Sequence, residues 1–507
     1  MRLLSALLFT ALFLNLIVCR FPTSPFARSD IEKIKALHSS DIVESTMKMK
    51  IDHFNANGES EEYDMRYLVN NKHLKKNGPI FFYAGNEGDI YTFYNNTGFM
   101  VNTLAKEFGA SVVFAEHRYF GESMPFGKDS FKTANLKYLN VEQVMSDYVE
   151  FIKQYRDEHA TETTPVIVFG GSYGGMLASW LRMKFPETFQ GAIAASAPII
   201  YFKGAVPEDG FYQVIDKVFT QGHEECHTNI KAVHSLLVDM KNDPAKIKEL
   251  QSTFNTCQKT TKSADVDKVI ALLDNAWIYM AMTNYPYPTD FLSPMPGWPV
   301  DESCKPFNFT MKEKDSTVMH LLKGDESAFT EDEQKLLNAA FESITVYYNY
   351  TGSLECNDLD GDGSGNLDAF GWNILACNEM VMPMSATNQS MFLPFEFDYE
   401  EYAEYCHEQY GVSPQYDFAL TYFGGRHITK DFMYASNIVF SNGDIDPWSA
   451  GSVTKDVGKG TVVVNIENSA HHLDLRDPNP EDPQSVIDAR NIEREEIAKW
   501  LKEYEAE

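Results

Sequence analysis

Short, wholly apolar runs alternate with stretches of helical spacing over the first two hundred residues. Residues 49–54 and 63–69 are β-like in pattern. The runs at 79–83 (Pro-Ile-Phe-Phe-Tyr), 110–115, 165–170 and 191–195 are short, apolar and rich in β-branched, aromatic or small residues. That is how strands buried on both faces read. Helical spacing covers 141–158 and 176–185. The alternation predicts a parallel sheet with helices on both faces. The rhythm stops near residue 205. From there to about 430 the pattern is mainly helical, cysteine-bearing and rich in loops. Strands resume at 437–441 and 460–465, and an amphipathic helix spans about 483–504. The expected organisation is an α/β core from residues 46–204 and 431–507, interrupted by a helical insertion at 205–430.

The N-terminus reads differently. Met1-Arg2 is followed by an apolar run to Val18, then Cys19, Arg20 and Pro22. A short basic start and a short apolar run predict a secretory signal peptide over 1–19. The run is shorter than the ~20 residues a membrane span needs, and no later stretch of sequence is apolar enough to span. Residues 20–45 are polar and read as an N-terminal arm or propeptide.

Composition sharpens this picture. The 507 residues carry 43 Lys plus Arg against 73 Asp plus Glu, a formal charge of −30. So acidic a chain lacks the cation excess that nucleic-acid phosphates require, and an anionic membrane surface is excluded on the same ground. Of seven cysteines, Cys19 falls in the signal. The other six (Cys226, Cys257, Cys304, Cys356, Cys377 and Cys406) are an even set in a secreted chain, which predicts three disulfides with their pairing open. Sequons at Asn95, Asn308, Asn349 and Asn388 point to the same secretory route, lysosomal or extracellular.

The chemistry is concentrated at Gly170-Gly171-Ser172-Tyr173-Gly174-Gly175, a G-x-S-x-G motif between a predicted strand and a predicted helix. Such a turn raises a serine hydroxyl at the sheet's carboxyl edge, and flanking glycines leave room for the tight backbone. Serine is a weak nucleophile and needs a histidine base oriented by an acid. In this arrangement the chain order is Ser, then acid, then His. Asp444 and Asp446 follow one late strand and His471 and His472 follow the next; order alone does not choose between them. The oxyanion donors are expected to be the Tyr173 N–H and one from the loop Ala84-Gly85-Asn86-Glu87-Gly88-Asp89, with Gly85 the candidate. Glu87 and Asp89 would either bind a substrate amine or structure that loop. A stretch from Asp358 to Asp368 begins like a calcium loop, but its twelfth position is Ala369, or Gly371 if it starts at Asp360, where a bidentate Glu belongs. It is better read as an acidic surface loop, and no metal is expected.

These segments resemble the S28 family of serine peptidases. The resemblance is carried by Tyr83–Asp89, Glu116–Ser123, Gly170–Gly175, Asn284–Pro288, Ser441–Gly443 with Asp446-Pro447-Trp448, and Ala470–Arg476. It implies an α/β-hydrolase fold with a helical, disulfide-bearing cap insertion. It also implies a triad of Ser172, Asp446 and His471, and cleavage of small peptides after proline without a cofactor. It further implies an apolar proline pocket at Met176, Met382 and Trp448, and disulfides 226–304, 257–356 and 377–406. One cysteine pair of the family's carboxypeptidase branch is absent, with Ser385 at one of its positions. Residues 346–352 and 380–384 look like that branch, whereas 288–292 look like the dipeptidyl peptidase branch. The expected partners are proline-containing peptides, with no nucleic acid and no membrane span once the signal is removed; a homodimer is left open. The competing readings are a dipeptidyl peptidase, an esterase, or an inactive binding protein on the same fold.

Overall fold

The computed structural model describes residues 41–310, 327–361 and 363–506. The signal peptide and nearly all of the N-terminal arm lie outside the described residues. Eight strands form one sheet: β1 (Val43–Lys50), β2 (Glu62–Asn70), β3 (Ile80–Ala84), β4 (Ser111–Ala115), β5 (Val166–Gly171), β6 (Gly191–Ala195), β7 (Ser436–Gly443) and β8 (Gly460–Ile466). Their order is β1-β2-β4-β3-β5-β6-β7-β8. The six strands from β3 to β8 run parallel.

The sheet is nevertheless mixed, not parallel throughout. β2 is antiparallel to both β1 and β4. The connection at residues 51–61 is a string of turns, and Gly58 adopts φ 71°. Such a short link can join antiparallel neighbours but cannot make the crossover that parallel strands require.

Helices that bear on the cores and the site are α1 (Ile90–Asn95), α2 (Val141–His159), α3 (Tyr173–Lys184), α4 (Gly210–Thr220), α5 (Glu224–Asp239), α6 (Ser263–Met282), α7 (Glu331–Tyr348), α8 (Ala369–Asn378), α9 (Tyr399–Tyr410) and α10 (Gln484–Ala506). Successive strand residues face opposite ways, so the apolar runs feed two cores. Ile80, Phe82, Val113, Val166, Val168 and Ile438 pack with Tyr148 and Phe151 of α2 and Leu177 and Trp180 of α3. Phe81, Tyr83, Phe114, Ile167 and Phe169 share the opposite core with Val486, Ile497 and Trp500 of α10 and with α4 to α7. This is the α/β-hydrolase fold, with the helices between β6 and β7 added to one end. Among the described residues, no helix is long and apolar enough to cross a membrane.

Disulfides join Cys226 to Cys304, Cys257 to Cys356, and Cys377 to Cys406. The loops they close span 78, 99 and 29 residues, and loop-closure entropy makes each bond a stabiliser of roughly 3–5 kcal/mol. Ser385 meets Glu208 by two hydrogen bonds, N–H to carbonyl at 2.9 Å and hydroxyl to carboxylate at 3.2 Å. Of the sequon asparagines, Asn308 and Asn388 are exposed and Asn349 is half-buried. The Asn95 amide is enclosed without a hydrogen-bond partner among the described residues.

One contact ties the inserted segment to the core. Glu379, directly after α8, accepts the Val141 N–H at the start of α2 (2.9 Å) and is 5% exposed. Burial, reinforced by neighbouring Glu142, raises its carboxyl above the usual range. The native state therefore holds a proton that the unfolded chain releases above about pH 4.3. Stability from this group is full below that pH and is lost as pH rises through the raised value. The protein is expected to melt higher at pH 5 than at pH 8 in scanning calorimetry. Glu379→Gln should narrow that difference by roughly 2–4 °C; an unchanged difference would contradict the assignment.

Candidate active site

The elbow after β5 sets the first group. Ser172 adopts φ 58° and ψ −129°, a conformation costly for any residue with a Cβ. Neighbours hold it there: the Ser172 N–H donates to the Ala195 carbonyl at 3.0 Å, and its carbonyl accepts the Met176 N–H at 3.0 Å. A Cβ on Gly170 would come within 2.0 Å of the Gly174 carbonyl oxygen, so β5 and α3 could not meet so closely with any larger residue. Tyr173 is the first residue of α3, where N–H groups lack intrahelical acceptors and the helix dipole favours negative charge.

The candidate acid and base lie in the loops after β7 and β8. Asp446 is fully buried, and its Oδ2 lies 2.9 Å from His471 Nδ1. Its Oδ1 accepts the Trp448 N–H at 3.0 Å, which fixes the carboxylate plane. The His471 N–H donates to the Met282 carbonyl (3.1 Å), and its carbonyl accepts the Tyr285 hydroxyl (2.9 Å). The two neighbours that the sequence could not separate from these are elsewhere. Asp444 is half-exposed and faces Lys217 at 3.6 Å. His472, at φ 38°, lies against the elbow, where a Cβ on Gly171 would come within 2.8 Å of its ring. Burial, with His471 and Arg476 adding to it, drives the His472 imidazole well below the usual range, so it is neutral.

Ser172, Tyr173 and His471 line one pocket of about 640 Å³, open to solvent. No hydrogen bond joins the Ser172 hydroxyl to His471 among the described residues. Met176 from α3, Met382 after α8 and Trp448 beside Asp446 form part of the wall, together with Phe291 and Trp372. The Trp448 indole N–H points to Met282 Sδ at 3.3 Å. Glu87 also lines this pocket, 9% exposed, with its Oε2 accepting the Asn86 amide at 2.9 Å.

In the same loop Gly85 departs from expectation, and Asp89 takes the second of the two roles considered for it, structuring the loop. The Gly85 N–H donates to the Ala115 carbonyl at 3.1 Å, so it has no hydrogen left for an oxyanion. Asn86, the next residue, lines the pocket instead. Asp89 does not line it. Its side chain caps α1 through the Tyr91 N–H (2.9 Å) and pairs with Arg66 Nη2 at 2.5 Å.

The Glu116–Ser123 motif lies behind this loop as scaffolding. The Glu116 carboxylate pairs with Arg66 and accepts the N–H groups of Ile90, Glu122 and Ser123. Arg118 and Asp147 are both fully buried and joined by two hydrogen bonds at 2.6 and 2.7 Å. Arg118 also donates to the carbonyls of Lys50, Ile51 and Tyr138. Breaking so buried a pair costs about 3–5 kcal/mol.

The acidic stretch 358–368 divides. Asp358 and Asp360 pair with Gln258 and Lys268 at the surface. Asp362 lies outside the described residues. Asp368 reaches the pocket wall, and its N–H donates to the Glu87 carbonyl at 3.0 Å. Sequence reading missed Asp368, Trp372 and Phe291. They sit on inserted segments whose packing no local pattern reports, and the one available signal was the shift from an acidic run to the helical pattern of 369–378.

Comparison with known proteins gives a consistent result. The family model described as serine carboxypeptidase S28 matches residues 49–493. The lysosomal Pro-X carboxypeptidase of Mus musculus is 39% identical over 461 residues, 90% of this chain and 89% of that protein. The Homo sapiens protein of the same name is 39% identical, over 90% and 88%. Prolyl carboxy peptidase like protein 5 of Caenorhabditis elegans is 36% identical over 487 residues, 91% of this chain and 90% of that protein.

Proposed function

Because the chain belongs to the serine carboxypeptidase S28 family and is a serine peptidase, we propose that it removes the residue following a proline at the carboxyl end of small peptides. The observation that carries this reading is the shared pocket: Ser172 in its strained elbow and His471, held by Asp446, open onto one wall of Met176, Met382 and Trp448. Those apolar side chains are assigned to the proline ring.

In this reading, Ser172 Oγ attacks the proline carbonyl and its proton passes to His471 Nε2. The proton then goes to the leaving amine, and water releases the acyl group by the reverse sequence. Asp446 holds the tautomer with hydrogen on Nδ1. The serine–histidine hydrogen bond, open in the free enzyme, forms when substrate seats. The N–H of Tyr173 is assigned to the oxyanion, and Asn86 replaces Gly85 as the second donor.

The same reading assigns the protein to the secretory pathway, in a lysosomal or extracellular compartment. The disulfides and the relatives named as lysosomal support this. Mass spectrometry of two peptides at pH 5 tests the function, one amino-blocked and ending in Pro-Phe, one beginning Lys-Pro. Release of phenylalanine is expected. Release of Lys-Pro alone would indicate a dipeptidyl peptidase, and silence on both would leave an esterase or a binding protein.

A further inference from the structure

A carboxypeptidase has to receive its substrate's terminal carboxylate beside the reacting amide, because that carboxylate sits on the carbon next to the leaving nitrogen. Where the pocket wall takes that charge out of water, it needs a cation or hydrogen donors. None of the described residues lining the pocket is lysine or arginine, whereas Glu87 and Asp368 both face it. Arg66 and Arg476 do not line the pocket and are held by other groups, although the Arg476 Nε has no hydrogen-bond partner among the described residues. Arg66 is held by Asp89 and Glu116 behind the loop. Arg476 lies over the Tyr285 ring and donates to Asn96.

We propose that Glu87, in its neutral form, receives the terminal carboxylate of the substrate by donating a hydrogen bond to it, an assignment that rests on the carboxypeptidase reading above. Asn86 Nδ2 holds Glu87 Oε2. With Oε2 so held, the hydrogen is assigned to Oε1. Burial raises this carboxyl, against hydrogen bonds from its own backbone N–H and from Asn86 and the charge of His471. A hydrogen bond from an acid to a carboxylate is of the strong, charge-assisted kind, whereas an ionised Glu87 would repel the substrate.

The groups facing Glu87 are compatible with this. The Tyr83 and Tyr173 phenols are raised by burial and neutral. His472 is neutral, and Asp368 is itself raised by burial. His471 is the base of the reaction for acid and amide substrates alike.

The experiment compares kcat/KM from pH 4 to 8 for two amino-blocked peptides, one ending in Pro-Phe acid and the other in Pro-Phe amide. In the wild type the acid-to-amide ratio is expected to fall by about tenfold or more as Glu87 loses its proton. Dividing by the amide removes whatever the two peptides share in the chemical step. Glu87→Gln, which carries N–H donors at every pH, should flatten that fall. Glu87→Ala should raise KM for the acid by about tenfold with a much smaller effect on the amide. A ratio independent of pH in the wild type overturns the proposal and needs no variant. So does a pH dependence that survives Glu87→Gln but vanishes in Asp368→Asn. Failure of the wild type to release phenylalanine from the acid at any pH overturns the carboxypeptidase reading instead.

Discussion

Replacing Ser172 by alanine is expected to lower kcat by about 10⁴- to 10⁶-fold and to leave the melting temperature within roughly 2 °C. The serine hydroxyl makes no hydrogen bond among the described residues, so its removal takes little from the folded state. Alanine keeps a Cβ and therefore keeps the strain at φ 58°. Glycine has no Cβ and is at ease there. Ser172→Gly should be as inactive as Ser172→Ala but more stable than it, the strain relieved being of order 1 kcal/mol less glycine's greater unfolded-state entropy. Measuring kcat on a peptide ending in Pro-Phe, with calorimetry on all three proteins, checks both halves. Residual turnover in Ser172→Ala above about 1% of wild type would place the nucleophile elsewhere.

Asp446→Asn is expected to cost about 10³- to 10⁴-fold in kcat, because an amide in place of the carboxylate favours the wrong imidazole tautomer. Asp444→Asn, only two residues away, should change kcat less than about twofold, since it removes only an exposed pair with Lys217. Kinetics of the two variants side by side is a sharp comparison. A large loss in Asp444→Asn with little in Asp446→Asn would reverse the assignment of the acid.

Much of this protein was legible from local pattern. The apolar runs at 79–83, 110–115, 165–170 and 191–195 became β3 to β6 with boundaries shifted by no more than a residue. Buried strands and amphipathic helices reveal themselves through period, and period is a local property. β1 (Val43–Lys50) was largely missed: the predicted stretch 49–54 meets it only at its last two residues, and residues 43–45 had been given to the N-terminal arm. β2 was read as β but not as antiparallel. Direction depends on which neighbour a strand finds, and β2 found β4, some forty residues away. The acidic stretch 358–368 was read as a surface loop, which holds for Asp358 and Asp360. Asp368 turns inward because its N–H meets the Glu87 carbonyl, a partner almost three hundred residues earlier.

By itself, then, the sequence determined the order of strands and helices, the serine elbow and the succession of serine, acid and histidine. Each follows from backbone sterics and side-chain period within a short window. It narrowed the acid and the base to neighbouring pairs, and the family resemblance pointed to one of each. Tertiary structure alone decided which hydrogens and charges were free to act. Gly85 lost its N–H to a neighbouring strand, and Asp89 was claimed by Arg66 and a helix end, while Glu87 from the same loop was left facing the pocket. Adjacent residues in one loop look alike as a string. Burial and partner separate them, and both are supplied by chain far away in sequence.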